Sequence, residues 1–265
     1  MRRIGQDAFE DRRELDGRLA AIARPVVAMA ADYPPGHNVP PHRHERAQLV
    51  YASAGVMQVS AEAGTWIVPP ERAVWVPARM THAVTAHGRL EMRTLYVSPE
   101  AAERLMPTCC VVSVTPLLRE LILRAVTLPP HYEEASAEGR VMALILDEIR
   151  ALPTAPLHLP QAHDPRLVRV TEALSKNPGD ERTLADLAKQ AGASPRTLAR
   201  LFVKETGLTF GAWRQRARLL QALTWLAEGR AVTTIALDLG YDSPSAFIAA
   251  FKRSFGVTPA KYFKS

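Results

Sequence analysis

The sequence predicts an α+β protein of two domains: an N-terminal β-barrel or jelly roll with helices following it, and a C-terminal all-helical domain made of two helix-turn-helix units. Three observations predict it. Residues from about 25 to 98 are alternating, β-branched and aromatic runs broken by Pro and Gly. One helix-turn-helix pattern occurs twice near the C-terminus, and a proline-rich stretch separates the two textures. A length of 265 residues accommodates two domains with cores of their own.

The strand-forming runs are AQLVYASAG, VMQVSA, GTWIVPP, AVWVPA, HAVTAH and LEMRTLYV, which place a barrel over about 20–98. Residues 99–150 switch to helical periodicity in PLLRELILRAV and EGRVMALILDEIRAL. There Leu117, Leu121 and Ala125, together with Leu118, Ile122 and Val126, make a broad apolar face. Packing against the barrel and a seam between two copies both account for that face. Ala151 to Pro165 carries four prolines in fifteen residues, the mark of a linker. Residues 166–265 read as helical throughout.

The repeat runs from Leu184 to Thr209 and again from Thr233 to Thr258. Leu187-Ala188 matches Ile235-Ala236, Gly192 matches Gly240, and after one inserted residue Ser194-Pro195 matches Ser243-Pro244. Leu198 then matches Phe247, Phe202 matches Phe251, and Gly207 matches Gly256. Two copies are too few for a solenoid; they make a pair of trihelical modules, each offering one helix to a groove. Gly192 suits the left-handed close of the first helix. Ser194 is a natural N-cap for the next helix, with Pro195 at its first position.

Charge follows the repeat. Residues 1–162 hold 17 Lys+Arg against 18 Asp+Glu, a net of −1, whereas residues 163–265 hold 16 against 9, a net of +7. A basic half that also carries paired helix-turn-helix patterns points to double-stranded DNA. On the first reading helix the outward residues are Ser194, Arg196, Thr197, Ala199, Arg200 and Lys204. An Arg near the start of such a helix reaches guanine O6 and N7. The second helix offers Ser243, Ser245, Ile248 and Ala249, with Lys252 and Arg253 one turn on for phosphates. Base discrimination is therefore expected chiefly from the first module. The helix FGAWRQRARLLQALTWLAEG joins them, with Trp213, Ala217, Leu220, Leu223 and Leu226 as its buried stripe and Arg214, Arg216 and Arg218 on the rest.

These pieces carry a family resemblance. LADLA, GASPRTLARLF, the connecting helix, IALDLGYDSPSAFIAAFKRSFGVTP and the terminal Lys-Tyr-Phe resemble the C-terminal domain of AraC/XylS-type transcription regulators. One departure is Ala249, where the family commonly has Arg. PPHRHERAQLVYASAG and GTWIVPPERAVWVPARMTH resemble the two motifs of a cupin barrel. In metal-binding cupins an H-x-H pair, an acidic residue four positions on and a later His converge on one ion. His42, His44 and His82 occupy the His positions, but Gln48 stands where Glu is expected. An amide oxygen is a poor ligand for first-row ions. No metal or other cofactor is therefore expected, and His42, His44, Gln48, Tyr51, Trp66, Trp75 and His82 are read as lining an effector pocket, with Met80 nearby. The alternative is a transition ion such as Zn or Ni on His42, His44 and His82.

The resemblance implies a sequence-specific regulator controlled by a small-molecule effector in the barrel. It implies residues 20–150 as sensor, with 99–150 as its helical dimerisation segment, 151–165 as linker and 166–265 as DNA-binding domain. Expected partners are promoter or operator DNA, the effector, a second copy of the chain and RNA polymerase. The competing class is a cupin-type metalloenzyme, a dioxygenase or isomerase with an accessory DNA-binding domain. Gln48, and the lack of a second acidic residue beside the histidines, weigh against it, so no enzymatic activity is expected. No phosphate-loop or dinucleotide fingerprint occurs. The absence of an eighteen-residue apolar run excludes a membrane span, and the charged start and adjacent Cys109 and Cys110 fit a reduced bacterial cytoplasm, with residence on the nucleoid when DNA is bound.

Overall fold

The computed structural model describes residues 12–155 and 157–262. The charged start of the chain and Phe263 of the terminal Lys-Tyr-Phe lie outside the described residues. The chain divides into two compact units, the first ending at His158 and the second beginning at Leu159, with Ala63–Thr65 grouped with the second.

In the first unit a helix α1 (Arg12–Ala20) precedes six strands, β1 (Val26–Tyr33), β2 (Asn38–His42), β3 (Ala47–Ala61), β4 (Gly64–Val68), β5 (Arg72–Val76) and β6 (His82–Val97). Then come α2 (Pro99–Ala102), β7 (Cys110–Ser113), α3 (Pro116–Ala125), α4 (Ala137–Arg150) and β8 (Thr154–Ala155), and β9 (His158–Pro160) straddles the boundary along the chain. β3 and β6 form one long antiparallel ribbon, in register from Ala47 opposite Val97 to Ala61 opposite His82. β1 pairs with the Leu90–Val97 end of β6, and β2 with the end that holds His82–Thr85. β5 pairs with Gln48–Tyr51 of β3, β4 also pairs with β3, and β7 lies beyond β5.

The ribbon bends in its middle. The pairing shifts between Ala52 and Ala54 and again between Ala54 and Val56, the signature of bulges. Gly55 sits there at φ +82°, and a Cβ on it would lie 2.3 Å from the Arg89 carbonyl. Only glycine meets both demands. The bend lets each end of the ribbon carry its own outer strands, which is the plan of a jelly roll.

Because side chains alternate across a strand, each half of the ribbon divides its residues between two faces. Leu49 and Tyr51 of β3, Ala73 and Trp75 of β5, Leu95 and Val97 of β6 and Val112 of β7 make one continuous buried surface. Leu118, Ile122 and Ala125 of α3 and Met142, Ile145 and Ile149 of α4 cover it. Of the apolar face expected on α3, those three residues pack inward; Leu117 is 50% exposed. Residues 99–150 are not wholly helical as expected, since β7 intervenes. Its four residues, Cys-Val-Val-Ser, are too few to show a period, and pairing with β5 makes them a strand. The proline-rich stretch is likewise partly fastened to the roll. β8 pairs with β7, the Ile67 N–H donates to the Leu157 carbonyl at 3.1 Å, and the His158 ring stacks on Trp66 at 4.7 Å.

The second unit is helical: α5 (Pro165–Lys176), α6 (Leu184–Ala191), α7 (Pro195–Thr206), α8 (Phe210–Ala227), α9 (Val232–Asp238), α10 (Pro244–Phe255) and α11 (Pro259–Tyr262). Local chemistry sets the ends. Thr183 and Asp186 form a reciprocal capping box at the start of α6, and Gly192 ends that helix at φ +70°. Leu167, Leu187, Leu198 and Phe202 join Trp213 in the first module's core. Phe247, Phe251, Phe255 and Tyr262 stack in series in the second. Along α8 the buried face is wider than the expected stripe, taking in Leu219 and Ala222, while Leu226 is only half-buried.

Arg218 of α8 is not a solvated surface charge. Its guanidinium donates to the carbonyls of Pro178 at 2.9 Å, Asp180 at 3.2 Å and Gly240 at 3.2 Å. It therefore ties the α5–α6 loop to the α9–α10 turn. Among the described residues no helix is long and apolar enough to cross a membrane. Cys109 and Cys110 are free thiols, and burial pushes that of Cys109 up to about 12.

Candidate functional site

Buried polar side chains in the first unit gather at one place. His44, Gln48, His82 and Thr94 are all buried, and His42 beside them is partly open. The end of β2 brings His42 opposite His82 on β6. His44 lies past the strand, in the turn to β3, so chain reversal rather than strand alternation brings it to His42. Gln48 comes from the start of β3, where its register partner on β6 is Tyr96. Ring centroids of His42, His44 and His82 lie 4.4–6.0 Å apart, and Tyr96 meets His44 edge-on at 5.2 Å.

Main-chain carbonyls orient all three rings. His42 Nδ1 lies 3.0 Å from the Pro40 carbonyl, His44 Nδ1 2.5 Å from that of Arg46, and His82 Nδ1 3.0 Å from that of Met80. The two supporting turns are themselves held. The Arg79 N–H, at φ +63°, donates to the His44 carbonyl at 2.8 Å. Arg46 is buried and donates to the carbonyls of Leu19, Ile22 and Arg24, which lie at and just beyond the end of α1. Burial lowers its pKa from the usual arginine value, a shift that nearby Glu100 and Tyr132 oppose.

The ligand atoms of the three histidines all lie within 4.8 Å of one another. A carbonyl on each Nδ1 is the usual outer support of a metal-bound imidazole, leaving Nε2 as the coordinating nitrogen. The residues thus fit a first-row divalent ion, which His42, His44 and His82 would hold and which would supply a Lewis-acidic centre for a bound small molecule.

Two of the residues expected in the pocket are elsewhere. Tyr51 and Trp75 lie on the opposite face of the sheet from Gln48, under α3 and α4. The Trp75 indole N–H donates to the Met106 carbonyl at 2.7 Å, and burial raises the Tyr51 pKa despite a hydrogen bond from Arg119. Their parity shows why: positions 48 and 51 of one strand point to opposite faces. Trp66 is covered by His158. The residues that complete the cluster and were not expected are Thr94 and Tyr96. Their same-face spacing in LEMRTLYV was legible, but the register that sets them beside Gln48 was not.

The second unit presents two helix faces. On α7, Arg196, Arg200 and Lys204 are exposed at four-residue spacing and form one stripe, with Thr197 and Ala199 half-buried beside it. The helix is pinned at both ends, by Ser194 at its start and by Gly207 at φ +68°. The Ser194 hydroxyl is engaged in that role, accepting from the Thr197 N–H at 3.1 Å and lying 2.9 Å from the Thr197 hydroxyl. On α10, Ser245, Ala249, Lys252 and Arg253 are exposed and Ile248 is half-buried. Ser243 caps that helix through the Ala246 N–H at 3.2 Å. Among the described residues no ion pair engages Arg196, Arg200, Lys204, Lys252 or Arg253.

Comparison with known proteins accounts for both halves. Residues 24–140 match the AraC-like ligand binding domain, and residues 187–265 match a helix-turn-helix domain. The HTH-type transcriptional regulator NimR of Escherichia coli (strain K12) is 38% identical over 224 residues, covering 84% of this chain and 81% of the relative. This chain belongs to the AraC family of transcription regulators.

The NimR match is longer than either unit, so the likeness runs through both. Two further likenesses are narrower. The regulator RipA of Corynebacterium glutamicum is 34% identical over 111 residues, 42% of this chain and 32% of its own length. The solved DNA-binding domain of AdpA, in complex with a target DNA, is 31% identical over 38% of this chain and 92% of its own, with a TM-score of 0.36. As an AraC-family regulator, the chain joins an N-terminal half of the ligand-binding type to a DNA-binding helix-turn-helix half.

Proposed function

We propose that this regulator is a one-component sensor that reads double-stranded DNA mainly through Arg196 and Arg200 of α7 and takes a small-molecule effector beside His42, His44 and His82. The observation that carries the reading is the α7 stripe. Three cations at four-residue spacing, on a helix capped at both ends and engaged in no ion pair among the described residues, suit base edges and phosphates. On α10 the matching positions are Ser245 and Ala249, and its charges, Lys252 and Arg253, come a turn later, which suits phosphate positioning.

The effector site is supported by the concentration of buried polar side chains at one place, in a unit of the ligand-binding type. A homodimer is supported by Leu117 and Leu144, 50% and 41% exposed on α3 and α4, whose other faces are already packed on the sheet. The relatives are named as regulators, and Gln48 supplies a neutral amide where acid–base chemistry calls for a carboxylate, so the histidines serve sensing rather than turnover. DNA as target places the working protein in the cytoplasm.

The test is selection of bound duplexes from a random pool with the full chain, followed by sequencing. The expected product is a recurring site with two contacted segments roughly one helical turn, ~34 Å, apart. Recovery of unenriched sequence would refute sequence-specific reading.

A further inference from the structure

The outward residues of α7 are not all polar. Among the described residues, Val203 is the one large apolar side chain left exposed on either reading helix, at 52%. The helix packs inward through Leu198, Leu201, Phe202 and Thr206, so Val203 has no share in the module's core. At ~100° and ~1.5 Å per residue, Val203 sits about 20° round the helix from Arg196 and roughly 10 Å further along it. A helix lying in the major groove reads bases with residues at i, i+3, i+4 and i+7. On α7 those places fall to Arg196, Ala199, Arg200 and Val203. The repeat sharpens the contrast. With Phe202 matched to Phe251, Val203 takes the place held on α10 by Lys252, which is exposed and suits a phosphate. The first module thus sets an isopropyl group where the second sets a cation.

We infer that Val203 is a specificity-determining residue that meets the C5-methyl group of a thymine, an inference that rests on the reading of α7 given above. Among the groups that bases present in the major groove, the thymine methyl is the apolar one. Contact with it removes apolar surface from water on both sides. Cytosine sets an amino group in the groove, and adenine and guanine each set an N7 acceptor there. Valine has no polar atom to answer either, so closing on them leaves a base group without its water. Arg196 and Arg200, on the same face, supply the charge that draws this surface to DNA, and an arginine suits guanine O6 and N7. Val203 adds a preference for thymine to theirs.

The test uses the full chain, with a site selected by the wild type from a random duplex pool. Each thymine of that site is replaced in turn by uracil, which lacks only the 5-methyl group, and wild type, Val203→Ser and Val203→Lys are titrated on every duplex. Neither change touches the core. Replacing one thymine is expected to weaken wild-type binding about fourfold, as for one buried carbon group, and to leave Val203→Ser binding unchanged. Uracil at the other positions should affect both alike. Val203→Lys, which copies the second module, is expected to bind every duplex more tightly, with a steeper salt dependence, and to lose the same thymine preference. Identical uracil profiles for wild type and Val203→Ser overturn the inference, and so does a full thymine preference in Val203→Lys. Either result on a selected site overturns this inference alone, whereas a wild type that enriches no sequence overturns the regulator reading and this inference with it.

Discussion

The Gly240 carbonyl accepts a hydrogen bond from Arg218 Nη1 at 3.2 Å, which anchors the turn before the second reading helix to the helix joining the two modules. The same guanidinium reaches Pro178 and Asp180 in the first module's loop, so one side chain sets how the modules are spaced. Gly240 allows the approach. At φ +69° it has no Cβ, and one would lie 2.8 Å from Arg218 Nη2 and 2.9 Å from the Gly179 carbonyl.

Arg218→Ala should therefore cost on the order of 2–3 kcal/mol of stability by leaving carbonyls without their charged donor. Gly240→Ala should cost about 1–3 kcal/mol through backbone strain and crowding. Both should weaken binding to a two-segment site more than binding to either half-site. Chemical denaturation and duplex titrations check this; unchanged discrimination between full and half sites would show that the modules are spaced by something else.

Removing Arg196 or Arg200 should cost roughly 1–3 kcal/mol on the cognate duplex and relax preference at particular positions. Lys252→Ala and Arg253→Ala should instead weaken all duplexes alike and flatten the salt dependence. Titration of cognate and scrambled duplexes at several salt concentrations separates the two. Equal losses on both duplexes for Arg200→Ala would move that residue to the phosphates.

Ser194 and Ser243 should behave as caps. Replacing either with Ala is expected to lower stability by about 0.5–2 kcal/mol. Any loss of DNA binding should be similar on cognate and scrambled duplexes, since the hydroxyls are turned to the N–H groups of Thr197 and Ala246. A loss confined to the cognate duplex would mean that a hydroxyl leaves its cap to meet a base.

The start of α5 should be sensitive to acid. Hydrogen bonds from the Arg166 guanidinium and backbone N–H hold the Asp164 carboxyl down to about 2. An unfolded aspartate titrates near ~3.9. The folded value is the lower one, so the stabilisation is fully present above the unfolded pKa and is lost as pH falls through ~4 toward 2. Melting temperatures across that range should fall less steeply for Asp164→Asn; parallel curves would remove Asp164 from the acid response.

The cap chemistry around Thr183, Gly192, Ser194, Pro195 and Gly207 acts within a few residues of itself, so the limits of α6 and α7 could be read directly from the sequence. The same locality made the exposed stripe of Arg196, Arg200 and Lys204 legible, because helical period alone sets it. Gathering His42, His44 and His82 followed from family resemblance, and the parity of positions 48 and 51 already held the information that sends Tyr51 away from Gln48. What the sequence did not disclose depends on pairing between distant segments. The register of β3 on β6 sets Thr94 and Tyr96 beside Gln48, pairing with β5 turns Cys110–Ser113 into a strand, and the meeting of two loops gives Arg218 its carbonyls. A strand's own residues specify which of them share a face, but only the closed sheet specifies what that face meets.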